Sequence, residues 1–498
     1  MTLHQLYVAL MIGGVVLLAS IAATRLATGI GLPSLLLFLG VGVLVGEDGL
    51  GLPFDNAQLA QDLGTAALAV ILVEGGLTTR FSDIRKVLAP AGVLATVGVA
   101  VSTAVTAAAV HWILGMDWQL ALLLGAVVSS TDAAAVFSVL RVVPLPRRLS
   151  GLLEAESGFN DAPAVILVTL FSVVPLDLDP VTIVGTLAYE LAIGTVLGLA
   201  AGVLGAMALR RIALPATGLY PLATFGLGML AFAAAGSAHG SGFLAAYLAG
   251  VVLANSGLPH RSATRSFAEG AGWLAQIGVF VILGLLVSPD ELLDEVVPAI
   301  VAGLVLLLLA RPLSVVLSLI GFRVPWREQL FLSWAGLRGA VPIVLCTYPI
   351  VAGVPDSWRL LNIVFILVVL FTVIQGPSLR PVAEWLHLIP RDTTREIQVD
   401  AAPLDVLGAE LLTMTVSPGS RLHNVTVLEL RLPDPSVITL IIRAGQPFVP
   451  QPVTRLRVGD ELLIVTTSVT RDLAERRLRA VSRRGKLAYW FDEYGDQA

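Results

Sequence analysis

Apolar residues run almost unbroken through the first 390 positions, in thirteen stretches at about 5–23, 32–46, 62–78, 89–114, 118–140, 151–174, 181–209, 218–236, 241–256, 268–288, 295–320, 329–353 and 360–387. At a helical rise of about 1.5 Å per residue, such runs reach across, or nearly across, a hydrocarbon layer about 30 Å thick. They predict a polytopic α-helical membrane protein with about 13 transmembrane helices. The first run is too long for a signal peptide and lacks a basic n-region and a small-residue cleavage site, so it reads as a retained helix. After Pro390 the pattern changes to mixed polar and apolar residues, with turn signals at Ser417-Pro418-Gly419, Pro433-Asp434-Pro435 and Val458-Gly459-Asp460. Strand-like runs at 410–416, 436–443 and 461–467 alternate with helical candidates near 424–430 and 470–480, predicting a small α+β module. The expected organisation is a membrane domain over 1–390, a soluble module over 391–485 and a tail over 486–498.

Composition agrees. Hydrophobic residues make up 56% of 498 positions and charged ones 13%, and the mean hydropathy is +0.86, which excludes a soluble protein of this length. Cys346 is the single cysteine, so no intramolecular disulfide is possible. The net charge of −5 matters less than where the charges fall. Alternate connections are basic, carrying Arg25; Arg80, Arg85 and Lys86; Arg141, Arg147 and Arg148; Arg210 and Arg211; Arg261 and Arg265; Arg323 and Arg327. The other set is acidic, from Glu47, Asp48 and Asp55 to Asp290, Glu291, Asp294 and Glu295, with Arg359 against the trend. The positive-inside rule then places the N-terminus outside a cytoplasmic membrane and the C-terminal module in the cytoplasm.

Polar residues inside the apolar runs carry the candidate chemistry. Counting from Gly151, Asp161 lies about ten residues, or about 15 Å, into the sixth run, near the middle of the hydrocarbon layer. Ionisable groups at that depth are costly and point to function. Ser157 and Asp161 share one helix face, and Glu156 and Asn160 share the adjacent one. Such oxygens suit a hard monovalent cation, and a carboxylate among them can instead hold a proton; the plainer alternative is that they only join helices. The fifth run contains Ser129-Ser130-Thr131-Asp132-Ala133-Ala134-Ala135. Its hydroxyls could satisfy backbone freed where a helix unwinds, with Asp132 offsetting a positive helix end, or they could merely pack. Arg338, in Gly336-Leu337-Arg338-Gly339-Ala340-Val341-Pro342, marks the twelfth run as a second interrupted helix. The fifth and twelfth runs would then be equivalent positions in two inverted repeats around a midplane site. Arg338 is expected to offset Glu156. Arg311, nearer the cytoplasmic end of its run, is either a further charge-compensating residue or one that snorkels. Glu74 lies in Leu72-Val73-Glu74-Gly75-Gly76-Leu77 at the end of the third run, and His239-Gly240-Ser241-Gly242 reads as close helix packing.

Ser130-Thr131-Asp132-Ala133, Glu156-Ser157-Gly158-Phe159-Asn160-Asp161, Gly240-Ser241-Gly242-Phe243-Leu244-Ala245 with Tyr247-Leu248-Ala249-Gly250, and Gly336-Leu337-Arg338-Gly339-Ala340-Val341-Pro342 together resemble the NhaP-like sodium or potassium/proton antiporters, over essentially all of 1–390. The resemblance implies a core domain moving against a dimerisation domain in a homodimer, with Asp161 as the carrier of ion and proton. It implies that Ser157, Glu74 and the Thr131 region help bind the cation and that Asp132 balances the crossing helices. Glu156 with Asn160 and Arg338 would stabilise the site. Its Asn160-Asp161 pair, where other branches have two aspartates, implies electroneutral exchange of one cation for one proton. The C-terminal module resembles the TrkA-C domain through Glu410-Leu411, the Ser417-Pro418-Gly419-Ser420 turn and Gly459-Asp460-Glu461-Leu462. That resemblance implies a small regulatory ligand, nucleotide-like in some relatives, and tilts the substrate from sodium towards potassium.

No cofactor and no nucleic-acid partner is expected, and membrane lipid is the surrounding solvent. An intramembrane aspartyl protease built on Asp132 and Asp161 would need tyrosine-aspartate and glycine-x-glycine-aspartate contexts, but Thr131 and Asn160 precede the two acids. A serine protease at Ser241 has His239 beside it and no partner evident on another span. A potassium channel would need a repeated filter sequence, which the chain lacks.

Overall fold

In a computed structural model, residues 3–30, 34–47, 49–51, 54, 56–132, 145–176, 178–389, 409–467 and 469–484 are described. The chain divides into two units, Met1–Asp392 and Thr393–Ala498. The helices of the first unit are α1 (Leu3–Ile30), α2 (Ser34–Val45), α3 (Ala57–Thr78), α4 (Leu88–Leu114), α5 (Trp118–Ser129), α6 (Arg147–Phe171), α7 (Pro180–Arg211), α8 (Leu219–Ser237), α9 (Gly242–Ala254), α10 (Arg261–Leu285), α11 (Pro289–Leu319), α12 (Trp326–Trp334), α13 (Ala340–Val351) and α14 (Ser357–Trp385). Polar caps set several starts. Asn56 accepts from the Leu59 amide, Asp117 from Gln119, and Asp179 from Thr182, with Pro180 supplying the first helical position of α7. Seven of the helices (α3, α4, α7, α8, α10, α11 and α14) are long and apolar enough to cross a membrane by length and composition alone. Helix α6 is long but carries Glu154, Glu156 and Asp161, whereas α5, α12 and α13 are pieces that stop at unwound backbone.

The helices pack as two groups. Helices α2, α3, α7, α8, α9 and α10 pack on one another, and so do α4, α5, α6, α11, α13 and α14; the groups meet where α3 and α10 pack on α13 and where α7 and α9 pack on α6. Close approach between the groups is set by small residues. At Gly158 of α6 an added Cβ would lie 2.5 Å from the Tyr247 ring of α9, so the aromatic face rests directly on the α6 backbone. Two π turns interrupt the second group, at Leu94–Gly98 in α4 and Leu306–Ala310 in α11, and Arg311 follows the second directly.

The second unit holds a four-stranded antiparallel sheet of β1 (Ala409–Thr415), β2 (Val437–Arg443), β3 (Gln446–Phe448) and β4 (Glu461–Thr467), in the order β1-β4-β2-β3, followed by α15 (Arg471–Arg484). Alternation in β4 sends Leu462 and Ile464 into a core that α15 completes with Leu478 and Val481. The short β3, absent from the sequence expectation, follows a turn at Ala444 and Gly445, both with positive φ. Asp460 fixes the turn before β4, accepting from Arg443 Nε at 2.7 Å and from the Arg457 amide at 2.8 Å. Burial alone would raise the Asp460 carboxyl, but these hydrogen bonds outweigh it and hold the group below the usual carboxylate range.

Candidate functional site

Helix α5 ends at Ser129, and Ser130 is already extended, at φ −66° and ψ 142°. The second half of the 118–140 run, including Ala133-Ala134-Ala135, lies outside the described residues. The twelfth run is interrupted between α12 and α13, at residues 335–339. The two unwound segments cross. The Asp132 amide donates to the Leu337 carbonyl at 3.0 Å, and the Ala340 amide, at the start of α13, donates to Asp132 Oδ2 at 3.0 Å. Asp132 therefore sets a carboxylate at the positive end of α13, where the helix dipole favours an anion. The segments cross so closely at Gly339 that any Cβ there would overlap the Asp132 carboxylate. Gly339→Ala is expected to lower the melting temperature and the folded yield, while Gly92→Ala, at a helical position facing open space, leaves both near wild type; thermal denaturation on the same preparations checks this.

Unwinding frees oxygens and hydroxyls, and the middle of α6 faces them. Asp161, only 4% exposed, accepts from Ser130 Oγ at 2.6 Å. Thr131 and Ser157 share a hydrogen bond of 2.9 Å, and Asn160 Nδ2 donates to Thr131 Oγ1 at 2.5 Å. Asn160 Oδ1 is buried with no hydrogen-bond partner among the described residues. Asp161, Ser157, Thr131, Asn160 and Asp132 are thus brought to one crossing, together with Ser130, which the sequence reading did not single out. Its signal was the hydroxyl run Ser129-Ser130-Thr131, but which hydroxyl meets Asp161 is set by the extended backbone and not by helical spacing. Glu74 is half-buried on α3 with its side chain over Gly272 of α10, where an added Cβ would come 2.9 Å from its Cγ.

Glu156 interacts by charge with Arg338, as expected, but its short ion pair is with Arg311. Arg311 Nη1 lies 2.5 Å from Glu156 Oε1, and Arg311 is 4% exposed, so it does not snorkel. Arg338 is held by its own unwound segment, Nη1 donating to the Gly336 carbonyl at 3.1 Å, and both guanidinium groups flank Gly336. A carboxylate buried beside two arginines is matched in charge where an isolated one would be costly. Ser241 caps α9, its Oγ accepting from the Leu244 amide at 3.4 Å, in keeping with a packing role for that segment. Asp132 and Asp161 are bonded to separate donors, unlike a protease dyad sharing one proton. A cavity of about 370 Å³, lined by Glu47, Ser288, Glu291 and Asn362 among others, takes in none of the residues of the crossing.

This arrangement has relatives. Residues 16–385 match the family described as sodium/hydrogen exchanger, transmembrane, and residues 411–479 match the TrkA-C domain. The chain is 40% identical over 463 residues to the K(+)/H(+) antiporter NhaP of Alkalimonas amylolytica, covering 91% of this chain and 80% of that protein. It is 35% identical over 469 residues to the K(+)/H(+) antiporter NhaP2 of Shewanella oneidensis, with the same two coverages. The sodium proton antiporter MjNhaP1 of Methanocaldococcus jannaschii has the same fold, with a TM-score of 0.65 at 22% identity over 76% of this chain and 99% of that one. Helices crossing at unwound backbone around a buried carboxylate, and a family match over residues 16–385, lead to one assignment: the chain belongs to the sodium/hydrogen exchanger family of membrane proteins.

Proposed function

We propose that the protein is a secondary transporter that exchanges potassium for protons across the cytoplasmic membrane, one for one, through alternating access. The single observation that carries this is the Asp161 carboxyl, buried at the crossing of two unwound segments with hydroxyl and amide oxygens around it. A bare carboxylate facing the hydrocarbon is costly, by about 2.5–3.5 kcal/mol on insertion scales. The carrier crosses between states only when Asp161 is neutralised by a proton or by a cation held also by Ser157 and Thr131, with Ser130 and Asn160 completing the oxygen set. Both ligands need the same oxygens, so each moves only in exchange for the other. Glu74 is assigned to helping bind the cation, Asp132 to balancing the helix end of α13, and Glu156 with Arg311 and Arg338 to holding the crossing in shape.

Potassium is preferred to sodium because relatives named as K(+)/H(+) antiporters match 91% of this chain, more than its membrane unit alone. The sodium proton antiporter of M. jannaschii supports a sodium reading of the same mechanism, since hydroxyl, amide and carboxylate oxygens suit both ions. The basic connections favour an outside N-terminus and a cytoplasmic TrkA-C domain that binds a small regulatory ligand, and the protein works as a homodimer. Proteoliposomes loaded with a pH dye test the reading: external potassium drives proton movement that is indifferent to a clamped membrane potential. A response confined to sodium replaces the substrate, and no response to potassium, sodium or lithium overturns the function.

A further inference from the structure

Glu154 lies two helical turns before Asp161 on the same face of α6, and the exchange mechanism does not use it. Its carboxyl meets Thr79, just after α3, across the boundary between the two helix groups. Thr79 Oγ1 is 2.6 Å from Glu154 Oε1 and 2.7 Å from the Gly75 carbonyl oxygen. A hydroxyl has one hydrogen to give. With a bare carboxylate, two short oxygen-to-oxygen contacts would share that one hydrogen. Both contacts become hydrogen bonds when Glu154 carries a proton and donates it to Thr79 Oγ1, while Thr79 donates to Gly75.

The surroundings fit a neutral group. Tyr247 of α9, 1% exposed, adjoins Thr79 and Glu154. Among the described residues, the charged groups facing Glu154 are one of each sign, Asp83 in the single turn after α3 and Arg265 on α10, and Arg265 is paired with Glu269 at 3.0 Å. Thr79 is anchored on its own side, because Asn255, at the end of α9, donates to the Thr79 carbonyl at 3.0 Å and accepts from the Phe81 amide at 3.0 Å.

We propose that Glu154 is a proton-binding site separate from Asp161, and that its proton ties α6 to the end of α3 on the basic face of the membrane unit. Losing the proton leaves two acceptors competing for one hydrogen, which loosens the contact between the groups. Rising pH on that face then frees the groups to move, and exchange accelerates. This rests on the exchange reading above, in which one group moves against the other.

The test compares pH profiles of potassium-driven proton flux with hydrogen exchange of backbone amides 76–82, in the full-length protein. Glu154→Gln keeps a donor towards Thr79 at every pH, so flux stays low, its rise with pH is lost, and residues 76–82 stay protected. Glu154→Ala and Thr79→Val remove the tie, so flux on the acid side rises about tenfold over wild type, the scale of one hydrogen bond. Opposite effects of the Gln and Ala variants establish the site. Wild-type profiles in both, or the same direction of change in both, overturn it; Thr79→Val takes the place of the Ala variant in this comparison if that variant fails to fold. If wild type moves no protons with any cation, the exchange reading fails, while the protection of residues 76–82 in Glu154→Gln still decides the proton site.

Discussion

Asp161→Asn abolishes cation-driven proton movement in proteoliposomes while folded yield and melting temperature stay near wild type. The amide keeps the shape of the carboxyl and an oxygen that can accept from Ser130 Oγ, the 2.6 Å bond seen in the native site. It can neither take up a proton nor balance a cation's charge, so both loaded forms of the carrier are lost together. The effect on flux is complete and not graded, because no other carboxylate at the crossing is bonded in the same way: Asp132 is engaged with the Ala340 amide and Glu156 with Arg311. Normal exchange by the variant would remove Asp161 from the centre of the mechanism.

Glu156→Gln has its largest effect on stability. The pair Glu156 and Arg311 is buried, and removing one partner leaves an uncompensated guanidinium inside the membrane unit. Breaking such a pair costs about 3–5 kcal/mol in other proteins, so a large fall in melting temperature and folded yield is expected. Arg311→Met in the same background recovers part of the loss. A double-mutant cycle separates the partners, with a larger coupling energy between Glu156 and Arg311 than between Glu156 and Arg338. Equal couplings, or unchanged thermal stability in Glu156→Gln, would contradict the structural role given to the pair.

The contrast between these residues shows what a sequence reveals of such a site. Asp161, Ser157, Asn160, Thr131 and Asp132 were legible because polar groups deep in apolar runs stand out, and because helical spacing fixes which of them share a face of α6. The break in the twelfth run was legible from glycine and proline around Arg338. Ser130 was not, since an extended segment does not follow helical phase. The partner of Glu156 was not either. Both Arg311 and Arg338 lie in apolar runs, and the choice between them depends on a π turn at Leu306–Ala310 that alters the helical phase just before Arg311 and that no sequence pattern announces. No spacing or motif in the sequence singles out Glu154, and only the Thr79 contact gives it significance. In the C-terminal unit, alternation located β1, β2 and β4, whereas β3, from Gln446 to Phe448, was too short to show a period.

In the proposed mechanism, a proton and a potassium ion compete for Asp161. Calorimetric titration of the purified protein with potassium over a series of pH values tests this most directly. Where Asp161 is protonated in the empty carrier, each unit of falling pH weakens apparent potassium affinity about tenfold, each ion bound releases one proton, and Asp161→Asn removes both signals. Potassium affinity that is independent of pH, or binding without proton release, would mean that the two ions occupy separate sites and would contradict competition at Asp161.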